Sequence, residues 1–206
     1  MTNNNLDEMR VQEIEKTFSA STHFNISTDR DFNKSIDHII GLLTDSFTLI
    51  TNSSYGSALF LSITAMEETA KTHFAMFMKH DLNINNSKDP LMKHYKKHFL
   101  SVSPVFKMGS RLTNVLGNEK IDEFISLIDQ KNGLMDLRNN SIYWHTDSNG
   151  NYFPKDSIDK NISQEMLLFS IEAFDDSLVG YNQYSIEASD CTNTIFENIK
   201  NDYRSK

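Results

Sequence analysis

Residues 55–80, YGSALFLSITAMEETAKTHFAMFMKH, decide the fold class. Leu59, Ile63, Met66, Ala70, Phe74 and Phe77 recur at steps of three and four, so at 100° per residue they share one stripe of a helix. The spacing predicts a single helix over 55–80, lying in the core. On the same wheel Glu67 stands about 80° and Lys71 about 120° from the Leu59 line, while Glu68 points away. Two charged residues therefore flank a buried stripe.

Outward from this segment the rest of the 206 residues reads the same way, because 7 Gly and 3 Pro are too few for strands joined by tight turns. Upstream, Met1 to Asn5 should be loose. Leu6, Met9, Val11, Ile14 and Phe18 predict a short amphipathic helix, and Thr28 or Asp29 can cap a second one with Phe32, Ile36, Ile39, Ile40, Leu43, Phe47 and Ile50 inward. Downstream, Pro90 suits a first helical turn, and Leu91–Val102 and Val105–Leu116 predict helices parted near Pro104. Glu119–Gln130 is another, with Ile121, Phe124, Ile125 and Ile128 inward. Leu134–Trp144 continues as helix, Ser148-Asn149-Gly150 with Pro154 is a loop, and Ser163 can cap a helix through Ser185. The tail after Ala188 should be partly helical. The expectation is an all-α protein, with Phe74, Phe77, Phe124 and Phe174 in its core.

Composition removes several functions. Lys+Arg total 20 against 28 Asp+Glu, a formal net charge of -8, which argues against broad phosphate-driven binding of nucleic acid but leaves room for a local basic site. Cys191 is the one cysteine, so no internal disulfide or multi-thiolate metal site can form, and a reducing cytoplasm is expected. The polar, acidic start lacks the pattern of a secretory signal. No apolar run approaches the ~18 residues that span a bilayer, so no membrane is expected as a partner.

Two segments can carry chemistry. Arg138 and His145 are seven apart, and on a helix seven steps turn about 700°, placing both side chains within about 20° of one line and ~10 Å apart. Such a pair suits a phosphodiester: the imidazole exchanges a proton while the guanidinium donates to charge growing on phosphate oxygens, with no metal needed. The plainer reading is a surface Arg and a His at the helix C-terminus. Glu67 and Lys71 form an i,i+4 pair contributing only ~0.3 kcal/mol. Glu67 can instead reach Arg138 and fix its guanidinium, or the edge can simply be solvated. For His94-Tyr95-Lys96-Lys97-His98 a metal site is rejected, because Lys96 and Lys97 repel a cation and no third ligand is indicated. Lys93, His94, Lys96, Lys97 and His98 are expected to form a basic surface that meets RNA or an acidic partner. No phosphate loop, G-x-S-x-G elbow or Cys/His nucleophile is present.

Together these pieces resemble the HEPN superfamily of helical domains, and within it the abortive-infection V (AbiV) branch of bacterial phage-defence proteins. Ala65-Met66-Glu67-Glu68-Thr69-Ala70-Lys71 is similar to that branch's A-x-E-E-x-x-K element. His94–His98 resembles its His/Lys-rich segment, and Leu137-Arg138 to Tyr143 its L-R-x-x-x-x-Y element. Arg138-Asn139 with His145 is also similar to the superfamily's nuclease signature. The resemblance implies an up-and-down bundle of four to five main helices with extra terminal helices: one domain over 1–206, its core about 28–186, with an arm over 1–27 and a tail over 187–206. It implies a metal-independent endoribonuclease without cofactors, often a homodimer, that shuts down translation. Arg138 would bind the scissile phosphate and His145 would be the acid/base group. Asn139 and Tyr143 would contact substrate, and Glu67, Glu68 and Lys71 would support the pocket. A second reading, motivated by the acidic charge, is a non-catalytic helical module that senses a phage protein or sequesters a translation component.

Overall fold

A computed structural model describes residues 3–102, 110–130, 132–148 and 150–204. Among these the chain forms α1 (Asn3–Ser19), β1 (Ser21–Thr22), α2 (Asp29–Thr51), α3 (Tyr55–Ala75), β2 (Lys79–His80), a 3-10 turn (Pro90–Met92), α4 (His94–Leu100) and α5 (Ser110–Leu116). It continues with α6 (Asn118–Asp129), α7 (Gly133–Asn140), β3 (His145–Asp147), β4 (Gly150–Tyr152), α8 (Pro154–Ser157), α9 (Lys160–Leu178) and α10 (Gln183–Arg204). The four strands make only two short pairs, so the all-α helical bundle expected from the sequence is what forms. Among the described residues no helix is long and apolar enough to cross a membrane.

α3 lies between α2 and α9, and α10 packs on both α2 and α9. α2 begins where the sequence places it: the Thr28 hydroxyl accepts from Asp31 N–H at 3.1 Å, with Asp29 and Asp31 in the first turn. That cap contributes ~1 kcal/mol. Burying Phe32, Ile36, Ile39, Leu43 and Ile50 contributes on the order of 1.5–3 kcal/mol each, so packing, not capping, holds α2. α9 is buried without interruption from Ser163 to Phe174, and its polar side chains are hydrogen-bonded apart from Gln164 Oε1, which has no partner among the described residues. Ser170, for example, donates to the Ser62 carbonyl at 2.9 Å. Ala58, Ser62 and Ala65 keep α3 slim, and the Ser46 and Ser62 hydroxyls meet at 2.8 Å where α2 crosses it. Gly56 is required at a close approach: a Cβ there would sit 2.2 Å from the Ser141 carbonyl, so the start of α3 rests directly on the chain leaving α7.

One charged strap ties this bundle together. Arg111 of α5 donates from Nε to Glu172 and from Nη1 to Asn193, both at 2.6 Å, and from Nη2 to Asp175. Its guanidinium carbon lies 4.3 Å from the centre of the Phe196 ring. Burial pushes the Asp175 carboxyl up to about 6, which the Arg111 charge only partly opposes. Asp176 is also raised to about 6, by burial and then by repulsion from Glu172 and Asp175.

Several boundaries differ from the sequence reading. α3 stops at Ala75, because Lys79–His80 pairs in parallel with Ser21–Thr22 and pulls the chain off the helix. Phe77 is therefore 54% exposed, edge-on to Phe18, and not in the core; Phe74, Phe124 and Phe174 are buried as expected. Helix formation starts already at Asn3. Val11 faces outward, while the side chains of Leu6 and Met9 lie outside the described residues, as do residues 103–109 of the expected Pro104 break and Val105 helix. α9 is capped by Asp159, whose carboxylate accepts from Ile162 N–H at 3.0 Å, and not by Ser163. It ends at Leu178, not Ser185, since Gly180 takes a left-handed φ of 100°. The tail forms the full 22-residue α10. α7 ends at Asn140, where Ser141 Oγ turns back to the Arg138 carbonyl at 2.6 Å. The stretch expected to be helical through Trp144 leads instead into the paired strands β3 and β4, which flank the expected loop.

Candidate active site

The centre of the site is a carboxylate that the fold has taken out of water. Glu67, on the flank of α3, is 1% exposed. α4 crosses that flank and offers three consecutive helical neighbours, positions i, i+3 and i+4. His94 Nδ1 and Lys97 Nζ lie 2.7 and 2.8 Å from Glu67 Oε2, and His98 Nε2 lies 2.7 Å from Oε1. α7 brings Arg138, whose Nε is 3.4 Å from Oε1. An ionised carboxylate only accepts hydrogen bonds, so both ring nitrogens at 2.7 Å carry their protons toward it. The second nitrogen of His94 is left facing away from Glu67.

Electrostatics follow from that count. Burial by itself would push the Glu67 carboxyl up. The hydrogen bond from His98 and the charges of Lys97 and His98 reverse this and hold it well below the usual carboxylate range. Glu67 is thus a fixed anion. Facing it are two cationic side chains, Lys97 and Arg138, so cations outnumber the one carboxylate of the pocket. Such a pocket attracts an anion and disfavours a divalent cation. Among the described residues no group of three or more His, Cys, Asp or Glu is arranged to hold a metal ion.

Arg138 is the least satisfied member. Its guanidinium carbon lies 4.1 Å from the centre of the Phe60 ring and its side chain is 16% exposed. Its buried Nε is near enough to Glu67 for ion pairing but is not aligned for a hydrogen bond, and has no hydrogen-bond partner among the described residues. The two Nη groups of such a guanidinium, held over a ring beside a single carboxylate, can bind an oxyanion bidentately.

The sequence-derived candidates separate into three places. Glu67 and Arg138 meet, as one reading of the sequence has it. Lys71 does not pair with Glu67: it pairs with Glu68 and lies 4.9 Å over the Phe24 ring. Both line a separate cavity of about 270 Å³ with Lys34 and His38. His145 is in β3, not on the helix of Arg138, so the shared helical line is absent. Its ring stacks on Tyr152 at 4.7 Å. Tyr143 is exposed beside it, and Asn139, half-buried on α7, accepts from Tyr143 N–H through its backbone carbonyl at 3.0 Å. The basic surface expected over 93–98 is also corrected. Lys97 and His98 turn inward to Glu67 and are buried, and Lys96 pairs with Glu13 of α1. Lys93 and His94 remain partly accessible. Sequence reasoning missed the H-x-x-K-H face of α4 as the partner of Glu67. The available signal was that these residues lie at i, i+3 and i+4, which a carboxylate at the edge of a buried stripe can collect.

A family model described as AbiV matches residues 30–172, a span that includes α2, α3, α4 and α7 and hence every member of the Glu67 cluster. No curated protein and no solved structure matches the chain. With well over half of the 206 residues matched, and with the helical bundle in agreement, the chain belongs to the AbiV family of the HEPN superfamily.

Proposed function

We propose that this chain is an abortive-infection protein of phage defence that cleaves RNA without a metal or other cofactor, and so halts translation in the cytoplasm. One observation carries this reading: the Arg138 guanidinium lies over the Phe60 ring and within ion-pairing distance of Glu67, yet its Nε makes no hydrogen bond among the described residues. A scissile phosphate is the anion that suits it. In this account Arg138 neutralises charge growing on the phosphoryl oxygens, and His145 protonates the departing 5'-oxygen from the hairpin next to α7. Asn139 and Tyr143 help to seat the substrate. Two copies bring two such sites together in a homodimer.

Purified protein incubated with single-stranded RNA should release products ending in 2',3'-cyclic phosphate. Arg138→Ala should slow this by about 10²–10³-fold, the usual loss for one donor to a developing oxyanion. Equal cleavage by Arg138→Ala rejects the reading. Light scattering should give twice the monomer mass at micromolar concentration.

A second reading has its own observation. Tyr143, Trp144 and Phe153 are exposed around the hairpin, and Trp144 and Phe153 stack at 6.0 Å. Exposed aromatics of this kind anchor protein partners, so the chain can act by binding a phage protein or a translation component. Phage protection that survives Arg138→Ala but fails with Trp144→Ala selects this second reading.

A further inference from the structure

We propose that His94 is the general base of the cleavage reaction, with Glu67 as the residue that orients it. The inference rests on the RNA-cleavage reading above and adds to it a residue that the Arg/His signature does not contain. The geometry is that of an imidazole held at one end and open at the other. Nδ1 donates to Glu67 Oε2 at 2.7 Å, which fixes the ring plane and leaves Nε2 as the nitrogen with a lone pair. The side chain is 39% exposed, and Nε2 has no partner among the described residues. His98, bound to the other oxygen, is 2% exposed and spends its Nε2–H on Glu67, so it serves the pocket and has no access to substrate. His145 stacks on Tyr152, and among the described residues no carboxylate pairs with its ring. Of the three imidazoles, His94 alone combines an orienting carboxylate with an accessible nitrogen.

Position supports the assignment. His94 and Arg138 sit on the two oxygens of one carboxylate, so a phosphate bound to the guanidinium lies within a ribose's reach of His94. In the step itself, Nε2 takes the proton of the 2'-hydroxyl and the 2'-oxygen forms a bond to phosphorus. The bond from phosphorus to the 5'-oxygen breaks, and that oxygen takes the proton of His145. Solvent exchange then removes the proton from His94 and returns one to His145. No water is consumed, and the products are a 2',3'-cyclic phosphate and a 5'-hydroxyl. Glu67, already an anion, steadies the imidazolium formed on His94 and keeps its proton on Nδ1 throughout.

The test uses the full chain, a 5'-labelled single-stranded RNA, and the variants His94→Asn, His94→Ala and Arg138→Ala. Asparagine places an N–H donor near the position of Nδ1 and removes Nε2, so His94→Asn should melt like wild type and bind RNA equally well. Its cleavage should nevertheless fall by about 10²-fold or more, the scale of a lost general base. His94→Ala should fall similarly and regain part of its rate when free imidazole is added. If His94→Asn cleaves within twofold of wild type while Arg138→Ala is inactive, this assignment is wrong and the cleavage reading stands. If wild type itself cuts no RNA, both are wrong. A loss of cleavage matched by an equal loss of RNA affinity, with no response to imidazole, also overturns it, because His94 is then a binding group.

Discussion

Two arginine–carboxylate clusters among the described residues are built from similar parts, and they differ in what is left over. Arg111 and Arg138 each lie over a phenylalanine ring, Phe196 and Phe60, and each faces a carboxylate on one of the central helices. Around Arg111 every guanidinium nitrogen has a protein partner, and Asp175 and Asp176 are pushed up to about 6, first by burial and then by repulsion from neighbouring carboxylates. Around Glu67 the cationic side chains outnumber the carboxylate, and the Arg138 Nε has no hydrogen-bond partner among the described residues. The first arrangement closes on itself and fastens α5 to α9 and α10. The second has donors and charge to give to something outside the protein. A buried N–H without an acceptor has a desolvation cost, and such a group calls for a reason such as a catalytic or binding role.

That contrast can be broken most severely at Glu67. Glu67→Ala leaves Lys97, His98 and Arg138 facing one another without their anion, and should cost about 3–5 kcal/mol of stability, the range for removing one partner of a buried ion pair. Thermal or urea unfolding measures it. Next comes Arg111→Ala, which strands Glu172 and Asp175 and should cost about 2–4 kcal/mol while leaving RNA cleavage at the remaining folded fraction unchanged. Arg138→Ala should do the reverse, changing stability by less than about 1 kcal/mol, because Glu67 keeps three other partners, yet abolishing cleavage. Equal stability losses for the two arginines would erase the distinction between strap and site.

Acid sharpens the same comparison, with opposite signs. Asp175 has a folded pKa raised above its ordinary 3.8 to about 6, so the folded state takes up that proton first. Its unfavourable contribution, present in full above pH 6, is relieved as pH falls from 6 toward 3.8. Glu67 has a folded pKa held below its ordinary 4.5, so its contribution is present above that value and is lost as pH falls below it. Relative to wild type, Asp175→Asn should flatten the stability profile between pH 6 and 4, and Glu67→Gln should flatten it below about 4.5. Denaturant midpoints across pH 3–7 read both. The smallest effect is expected at Phe77, 54% exposed: Phe77→Ser should change stability by no more than about 0.5 kcal/mol. Phe74→Ala, on the buried stripe, should cost about 3–5 kcal/mol.

Legibility in the sequence follows the range of the interactions involved. The stripe from Leu59 to Phe74 is a local, periodic signal, and it gives α3 and the flanking position of Glu67 directly. Phe77 continues the period, but the helix has ended, because Lys79–His80 pairs with residues nearly sixty positions earlier and no periodicity reports that. The end of α7 at Asn140 is likewise set at a distance. The Ser141 carbonyl lies against Gly56, so the turn after α7 is fixed by the start of α3 and not by the residues from Ser141 to Trp144. This is why Arg138 and His145 leave their expected common line. At the site, Glu67 meeting Arg138 was readable, since an acidic residue beside a buried stripe needs a partner. Lys97 and His98 were not, because a run rich in Lys and His reads as solvated surface until a buried carboxylate is known to face it.

The most direct measurement is RNA cleavage by the purified chain and by Arg138→Ala and Arg111→Ala, with each rate divided by the folded fraction measured on the same sample. The account requires product carrying 2',3'-cyclic phosphate from wild type and from Arg111→Ala, and a rate at least about 10²-fold lower from Arg138→Ala. Comparable rates from the two arginine variants, or no product from wild type, would contradict it.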